Sequence, residues 1–213
     1  MQLPFTHDQF LDLFGDYTRA LWPFLLVLWL ATAWILWQLF RNSLRSPAVV
    51  PWLLAIHWAW SGAVYQLIYF RRINPAATLF GAAFLAQALL LLWRGVFQSR
   101  LTFSKPSRWS AVGWGLILYS MLYPAVGLLL GLRPPRWPSF GVPCPTTVLT
   151  AGLLLLGPRR EARLLGSIPV LWAAVGSFAA FALGIRADVA LGVAGVLLLA
   201  YMLTPSARLH HAS

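Results

Sequence analysis

The stretch LWPFLLVLWLATAWILWQLF, residues 21–40, decides the fold. It runs for 20 residues without a charged side chain. Wound as a helix at about 1.5 Å per residue, it reaches about 30 Å, the thickness of a bilayer's hydrocarbon core. It is too long for the apolar core of a cleavable signal peptide, and Asp8, Asp12 and Asp16 precede it in place of a basic cluster. It reads as a retained membrane span.

Six further apolar segments follow it, at 48–70, 75–93, 109–132, 145–157, 166–184 and 188–203. The composition agrees. Of 213 residues, 60% are hydrophobic and 10% charged, against about 25% charged in a soluble domain. Too few charges remain to coat a water-facing surface. The expected fold is all-α: a polytopic transmembrane helical bundle of about seven spans, preceded by an N-terminal amphipathic interfacial helix. The expected organisation is an arm at 1–20, a seven-helix domain at 21–204 and a short cytoplasmic tail at 205–213. Short linkers predict antiparallel neighbours.

The net charge of +11 does not mark a nucleic-acid-binding protein, because the basic residues sit in small groups between apolar runs. It is a topological signal. Ten lie on one side of the expected bundle: Arg41, Arg45, Arg94, Arg100, Lys105, Arg108, Arg159, Arg160, Arg163 and Arg208. Six lie on the other: Arg19, Arg71, Arg72, Arg133, Arg136 and Arg186, together with every acid except Glu161. The positive-inside rule then puts the N-terminus outside and the C-terminus in the cytoplasm, across a bacterial inner membrane.

Within the arm, Thr6 and Gln9 have the spacing of a capping box, and Phe5 and Phe10 that of a hydrophobic staple. Asp8, Asp12 and Asp16 recur every fourth residue, as either a solvated face or a cation-gathering strip. Small residues also recur every fourth position: Gly176, Ala180 and Gly184; Gly127 and Gly131; Ala82 and Ala86. Such spacing lets helix backbones approach closely, within the chain or in a homo-oligomer.

Polar groups inside the spans are few. His57 is the ionisable side chain placed well inside one, with Gln66 and Gln87 as neutral companions. Mid-span carboxylates are absent, which disfavours ion-coupled carriers and intramembrane aspartyl proteases. His57 and Ser61, four residues apart, are a minimal base and nucleophile pair. Trp58, Gly62, Tyr65 and Tyr69 are expected to share a helix face, and Tyr119 and Tyr123 lie four apart on another segment. Aromatic linings of this kind suit neutral or cationic ligands.

The segment Phe140-Gly141-Val142-Pro143-Cys144-Pro145-Thr146-Thr147 is the sharpest local feature. The two prolines are expected to keep Cys144 out of regular helix, with a short helix starting near Pro145. Its first N–H groups and the Thr146 and Thr147 hydroxyls would then be free for an anion or polar group. The candidate ligand-binding residues are Cys144, Pro145, Thr146, Thr147, His57, Trp58, Tyr65, Gln87, Tyr119 and Tyr123. The spacing assembles no metal site and implies no cofactor. The residues with metal-ligating chemistry are Cys144, Asp8, Asp12 and Asp16.

These motifs (Leu3-Pro4-Phe5-Thr6 with Gln9-Phe10, Ile73-Asn74-Pro75-Ala76-Ala77 with Phe80-Gly81, and Phe140-Gly141 through Pro143-Cys144-Pro145-Thr146-Thr147) resemble those of a bacterial family. It is a domain-of-unknown-function family of small multi-spanning inner-membrane proteins. The resemblance covers nearly the whole chain. It implies a membrane location and assigns no activity.

The expected function is a permease or transporter-like protein for a small solute or ion, its site between the second, third and fourth segments and the Cys-Pro start of the fifth. The alternatives are an accessory membrane protein that binds a partner complex and a small membrane-embedded enzyme, with non-enzymatic roles favoured. The partners are the lipid bilayer and a small solute or ion. A reporter fused after Ser213 is expected to be active in the cytoplasm; a periplasmic signal from that fusion overturns the charge-based topology.

Overall fold

The computed structural model describes residues 4–44, 46–103, 107–137 and 140–204. The tail at 205–213, with Arg208, and Arg45 and Lys105 of the charge count lie outside them.

All regular structure among these residues is helical. Helix α1 spans His7–Phe40 and α2 spans Val49–Trp60. The latter continues without interruption as a wider, π-type helix at Ser61–Tyr69 and a last 3₁₀ turn at Phe70–Arg72. Helix α3, Ala77–Leu91, likewise ends in a π-type stretch at Leu92–Phe97. There follow α4 (Ser110–Leu129), α5 (Pro143–Leu156), α6 (Arg159–Leu165), α7 (Ser167–Leu183) and α8 (Val189–Leu203).

The arm carries the expected cap. Thr6 Oγ1 accepts from the Gln9 N–H, Gln9 Oε1 accepts from the Thr6 N–H, and Phe5 stacks on Phe10. The chain makes no break at residue 20, however: arm and first span form one helix of 34 residues, with Pro23 accommodated inside it. The apolar side of its first turns packs on protein. Phe10 and Phe14 meet at their edges, Phe5 and Phe10 lean on Phe70, and Phe14 stacks on Tyr65.

Among the described residues, four helices are long and apolar enough to cross a membrane: His7–Phe40, Ala77–Phe97, Ser110–Leu129 and Arg186–Leu203. Counting α6 and α7 as one broken span makes five. The other expected segments differ for local reasons. The helix through 49–72 carries His57, Ser61 and Gln66, which lower its apolar character. Helix α5 is short, at 14 residues. The segment at 166–184 begins with a 55° bend between α6 and α7. Pro169 explains the bend: it has no N–H to give the Leu165 carbonyl, which accepts from Gln87 Nε2 at 2.8 Å instead.

Helix α5 is the axis of the bundle. Every residue from Pro145 to Leu155 is buried, consistent with a helix that is apolar all round. Its closest neighbour is α4, at a glycine crossing. A Cβ on Gly152 would stand 2.7 Å from the Gly113 carbonyl oxygen, and one on Gly113 would stand 2.8 Å from that of Gly152. Polar bonds tie other helices to the axis: Trp58 Nε1 donates to Thr150 Oγ1, Ser120 Oγ to the Pro145 carbonyl, and Tyr201 OH to the Gly157 carbonyl. The small residues of α7 act within the chain, Gly176 facing Leu191 of α8. Gly131 and Gly184 serve the chain direction instead. With φ of +94° and +68°, they end helices in a conformation that favours glycine. Ala82 and Ala86 lie exposed on the outside of α3.

The two ends of the bundle collect the linkers that an alternating topology requires. At one end Arg94 forms a two-pronged ion pair with Glu161, 2.7 and 3.0 Å, and Arg163 donates to the Met202 and Thr204 carbonyls. At the other, His7 Nδ1 bonds the Leu183 carbonyl, and the arm meets Phe70 and Gly141. Trp22, Trp34, Trp37 and Trp93 lie exposed on the periphery, as lipid-facing aromatics do.

Gly152→Ala is expected to lower stability by about 1–3 kcal/mol, because the crossing has no room for a methyl group. Thermal unfolding in detergent checks this against Gly115→Ala, where a Cβ meets nothing within 4 Å and the melting temperature should not fall.

Candidate functional site

The structure places the fifth-segment motif differently from its sequence expectation. Helix α5 begins at Pro143, with Val142 as N-cap, so Cys144 and Pro145 are both helical. Proline is tolerated in a first turn because the N–H it lacks has no helical partner there. The threonine hydroxyls are not free: Thr147 donates to the Pro143 carbonyl, and Thr146 Oγ1 lies 3.4 Å from Ser61 Oγ. The preceding Gly141, at φ +81°, turns its carbonyl toward Tyr17 OH and Ser61 Oγ.

What lies beside this first turn is a carboxylate. Asp188, in the turn before α8, is 4% exposed. It occupies the expected N-cap position, but its side chain makes no cap bond. Tyr123 OH donates a hydrogen bond to Oδ1, and Cys144 Sγ lies 3.4 Å from Oδ2. Tyr119, one turn earlier on α4, donates to the neighbouring Ala187 carbonyl at 2.7 Å. Mid-span carboxylates remain absent from the described helices, but two acids at segment ends are buried, Asp188 and Glu161, the latter 3% exposed. Both acids stand at segment ends, where hydropathy alone suggests access to water; the folding of one helix end over another removes it. Ion-coupled mechanisms are therefore no longer disfavoured by a lack of buried acids.

Above Asp188 opens a cavity of about 130 Å³. Tyr123, Cys144 and Asp188 form one polar side, and the Asn74 amide adds a further polar group to the lining. The arm covers it with Phe5, Phe10 and Phe14, and Tyr65 and Phe70 close the flank. Phe80 and Trp172, whose rings meet edge to face at 5.3 Å, complete the wall with the small residues Gly176, Ala179 and Ala180. Among the described residues, no Arg, Lys or His lines it.

Of the ten candidate binding residues, the cavity gathers Cys144, Tyr65 and Tyr123. The others serve the fold. Trp58 is bonded to Thr150, Gln87 to Leu165, Tyr119 to Ala187, and the Pro145 carbonyl to Ser120. Thr146 and Thr147 are engaged as described. Trp58 and Tyr65 do not share a face, because the π-type stretch from Ser61 changes the turn. Trp58 packs on Phe84 of α3, and Tyr65 on Tyr17 of α1. The cavity thus touches all four expected elements, through Tyr65, Phe80, Tyr123 and Cys144, and extends beyond them to the arm, α7 and Asp188. Sequence reasoning missed Asp188, Trp172 and the three arm phenylalanines. The Asp188 signal was present, as one of only five acids in the chain.

His57 and Ser61 do not form a catalytic pair. Thr32 Oγ1 donates to the Leu28 carbonyl and so accepts from His57 Nε2 at 2.9 Å, while Ser61 donates to Gly141. The aspartates of the arm are met by arginines: Asp8 and Asp12 by Arg136, and Asp16 by Arg19 at 2.8 Å. No group of three metal-ligating side chains occurs among the described residues.

Comparison with known proteins gives a family and no activity. The profile of DUF6064, a family of unknown function, matches residues 7–212. The chain is also similar to UPF0060 membrane proteins of Xanthomonas campestris pv. campestris, from strains B100, 8004 and ATCC 33913. Each is 36% identical over 94 residues, 44% of this chain and 68% of the relative. No solved structure matches the chain. With its apolar helices, these relatives make it a membrane protein.

Thr32→Val is expected to cost about 1–3 kcal/mol by stranding the buried His57 N–H. The melting temperature checks this, and ligand binding at the cavity should be unchanged if His57 is structural.

Proposed function

This chain belongs to DUF6064, and we propose that it is a permease for a small solute, with its binding site in the cavity over Asp188. The observation that carries the reading is the cavity itself: a largely aromatic chamber with a few polar groups, inside a helical membrane bundle. Solute sites are concave and mostly apolar, with a few convergent polar groups that fix orientation. A buried carboxylate in a membrane domain is costly to maintain and marks a functional position by default. The arm is the natural gate. It is held by the His7 bond to the Leu183 carbonyl, by the Asp8 and Asp12 pairs to Arg136 and by ring contacts, none of which involves the α4–α5 crossing. The protein sits in the bacterial inner membrane, arm outward and C-terminus in the cytoplasm, in keeping with the charge asymmetry of its linkers.

A second reading, an accessory protein that binds a partner, is favoured by one feature. An apolar groove of about 440 Å³ runs between α1 and α4, past Trp22, Trp29 and Leu128.

Uptake into proteoliposomes separates the two, with choline, glycerol and chloride as cationic, neutral and anionic probes. At least one is expected to enter faster than in protein-free vesicles. Ala179→Trp, which fills the cavity, should cut that uptake roughly tenfold at unchanged melting temperature. Equal flux through the variant overturns the permease reading.

A further inference from the structure

Resting on the reading of the cavity as a binding site, we infer that its ligand is a small organic ammonium ion. Charge is the first consideration. Asp188 is buried, and the ion pairs among the described residues leave it without a cation. Tyr123 and Cys144 give its oxygens hydrogen bonds but no compensating charge. A carboxylate has room for about four hydrogen bonds, so acceptor capacity remains toward the cavity. The first turn of α5 lies against it through Cys144, and a helix N-terminus favours negative charge beside it. A cation in the cavity would hold this carboxyl group in its ionised form, and the described residues supply none.

The walls define the chemistry of that counter-ion. Phe10, Phe14, Phe70, Phe80 and Trp172 present rings around the space, and the negative faces of aromatic rings attract cations that shed their water easily. They supply no lone pairs for a metal ion, and Asp188, Cys144 and the Asn74 amide form no group of three His, Cys, Asp or Glu ligands. An anion would meet both the carboxylate and the ring faces. Size sets the last limit. A cavity of about 130 Å³ is close to the roughly 150 Å³ that holds one benzene-sized guest. A trimethylammonium or small alkylammonium head fits; a polycyclic dye does not.

The experiment uses the full-length protein in lipid nanodiscs, with radiolabelled choline and its neutral isostere 3,3-dimethylbutan-1-ol. Choline is expected to bind saturably. The isostere, equal in shape and lacking the charge, should bind at least about tenfold more weakly. Asp188→Asn should lower choline affinity by a similar factor and leave the isostere unaffected. Should that variant not fold, the comparison of the two probes on the unaltered protein decides by itself. Isostere binding as tight as choline, absent choline binding, or full choline affinity in a folded Asp188→Asn protein each overturns the inference. Selective choline binding without flux in proteoliposomes sustains the cation site and sinks the permease reading. Flux of glycerol or chloride without choline binding does the reverse.

Discussion

The meeting of α4 and α5 at Gly113 and Gly152 is the contact on which the rest of the bundle depends. Each glycine gives its place to the other helix's carbonyl oxygen, bringing the two backbones together where lipid offers no hydrophobic force to press them. Helix α5 is thereby enclosed, and enclosure permits it to be short. About 21 Å of helix cannot reach both surfaces of a membrane. Residues 140–142, just before its N-terminal end, are irregular backbone. That backbone is admissible because it is buried in protein and bonded there, the Gly141 carbonyl accepting from Tyr17 and Ser61.

The same economy governs the other irregularities. A helix interrupted inside a bilayer exposes polar backbone that water cannot satisfy, so each interruption needs a side chain. Gln87 answers the carbonyl that Pro169 leaves open, and Tyr201 answers Gly157 at the end of α5. Thr150 supplies the acceptor that the deeply buried Trp58 indole needs. The polar residues that look most like ligand-binding groups in a membrane sequence are thus largely consumed in holding broken helices together. Arg94 and Glu161 do the same with charge, joining the end of α3 to the start of α6.

Asp188 stands apart from this pattern. Its neighbours orient it without neutralising it, and they face a chamber roofed by the arm. The roof is also the most locally specified part of the chain. The capping box at Thr6 and Gln9 and the Phe5–Phe10 staple fix the start of α1, and this start directs Phe10 and Phe14 inward. A cap that stabilises a helix end therefore also shapes a cavity wall.

Much of the fold was legible in the residues. Long uncharged runs specify helices because the bilayer forces backbone hydrogen bonds to close within each segment. The arm's cap and the two-ended distribution of linkers follow from local chemistry and from alternation. The number of helices long and apolar enough to cross did not follow from apolar runs alone: 48–70 is diluted by His57, Ser61 and Gln66, α5 is short, and 166–184 begins with the bend at Pro169. The site was the least legible part. Cys144, Tyr65 and Tyr123 were in view, but Asp188 counted among the charges at one end and Phe10 as half of the arm's staple. Whether a residue is lipid-soluble or helix-forming is a property of its own segment, and the amino-acid order alone determined it. Which helix end closes over which is a relation between segments far apart in the chain. Only the tertiary structure decided that, and with it which carboxylate was cut off from water.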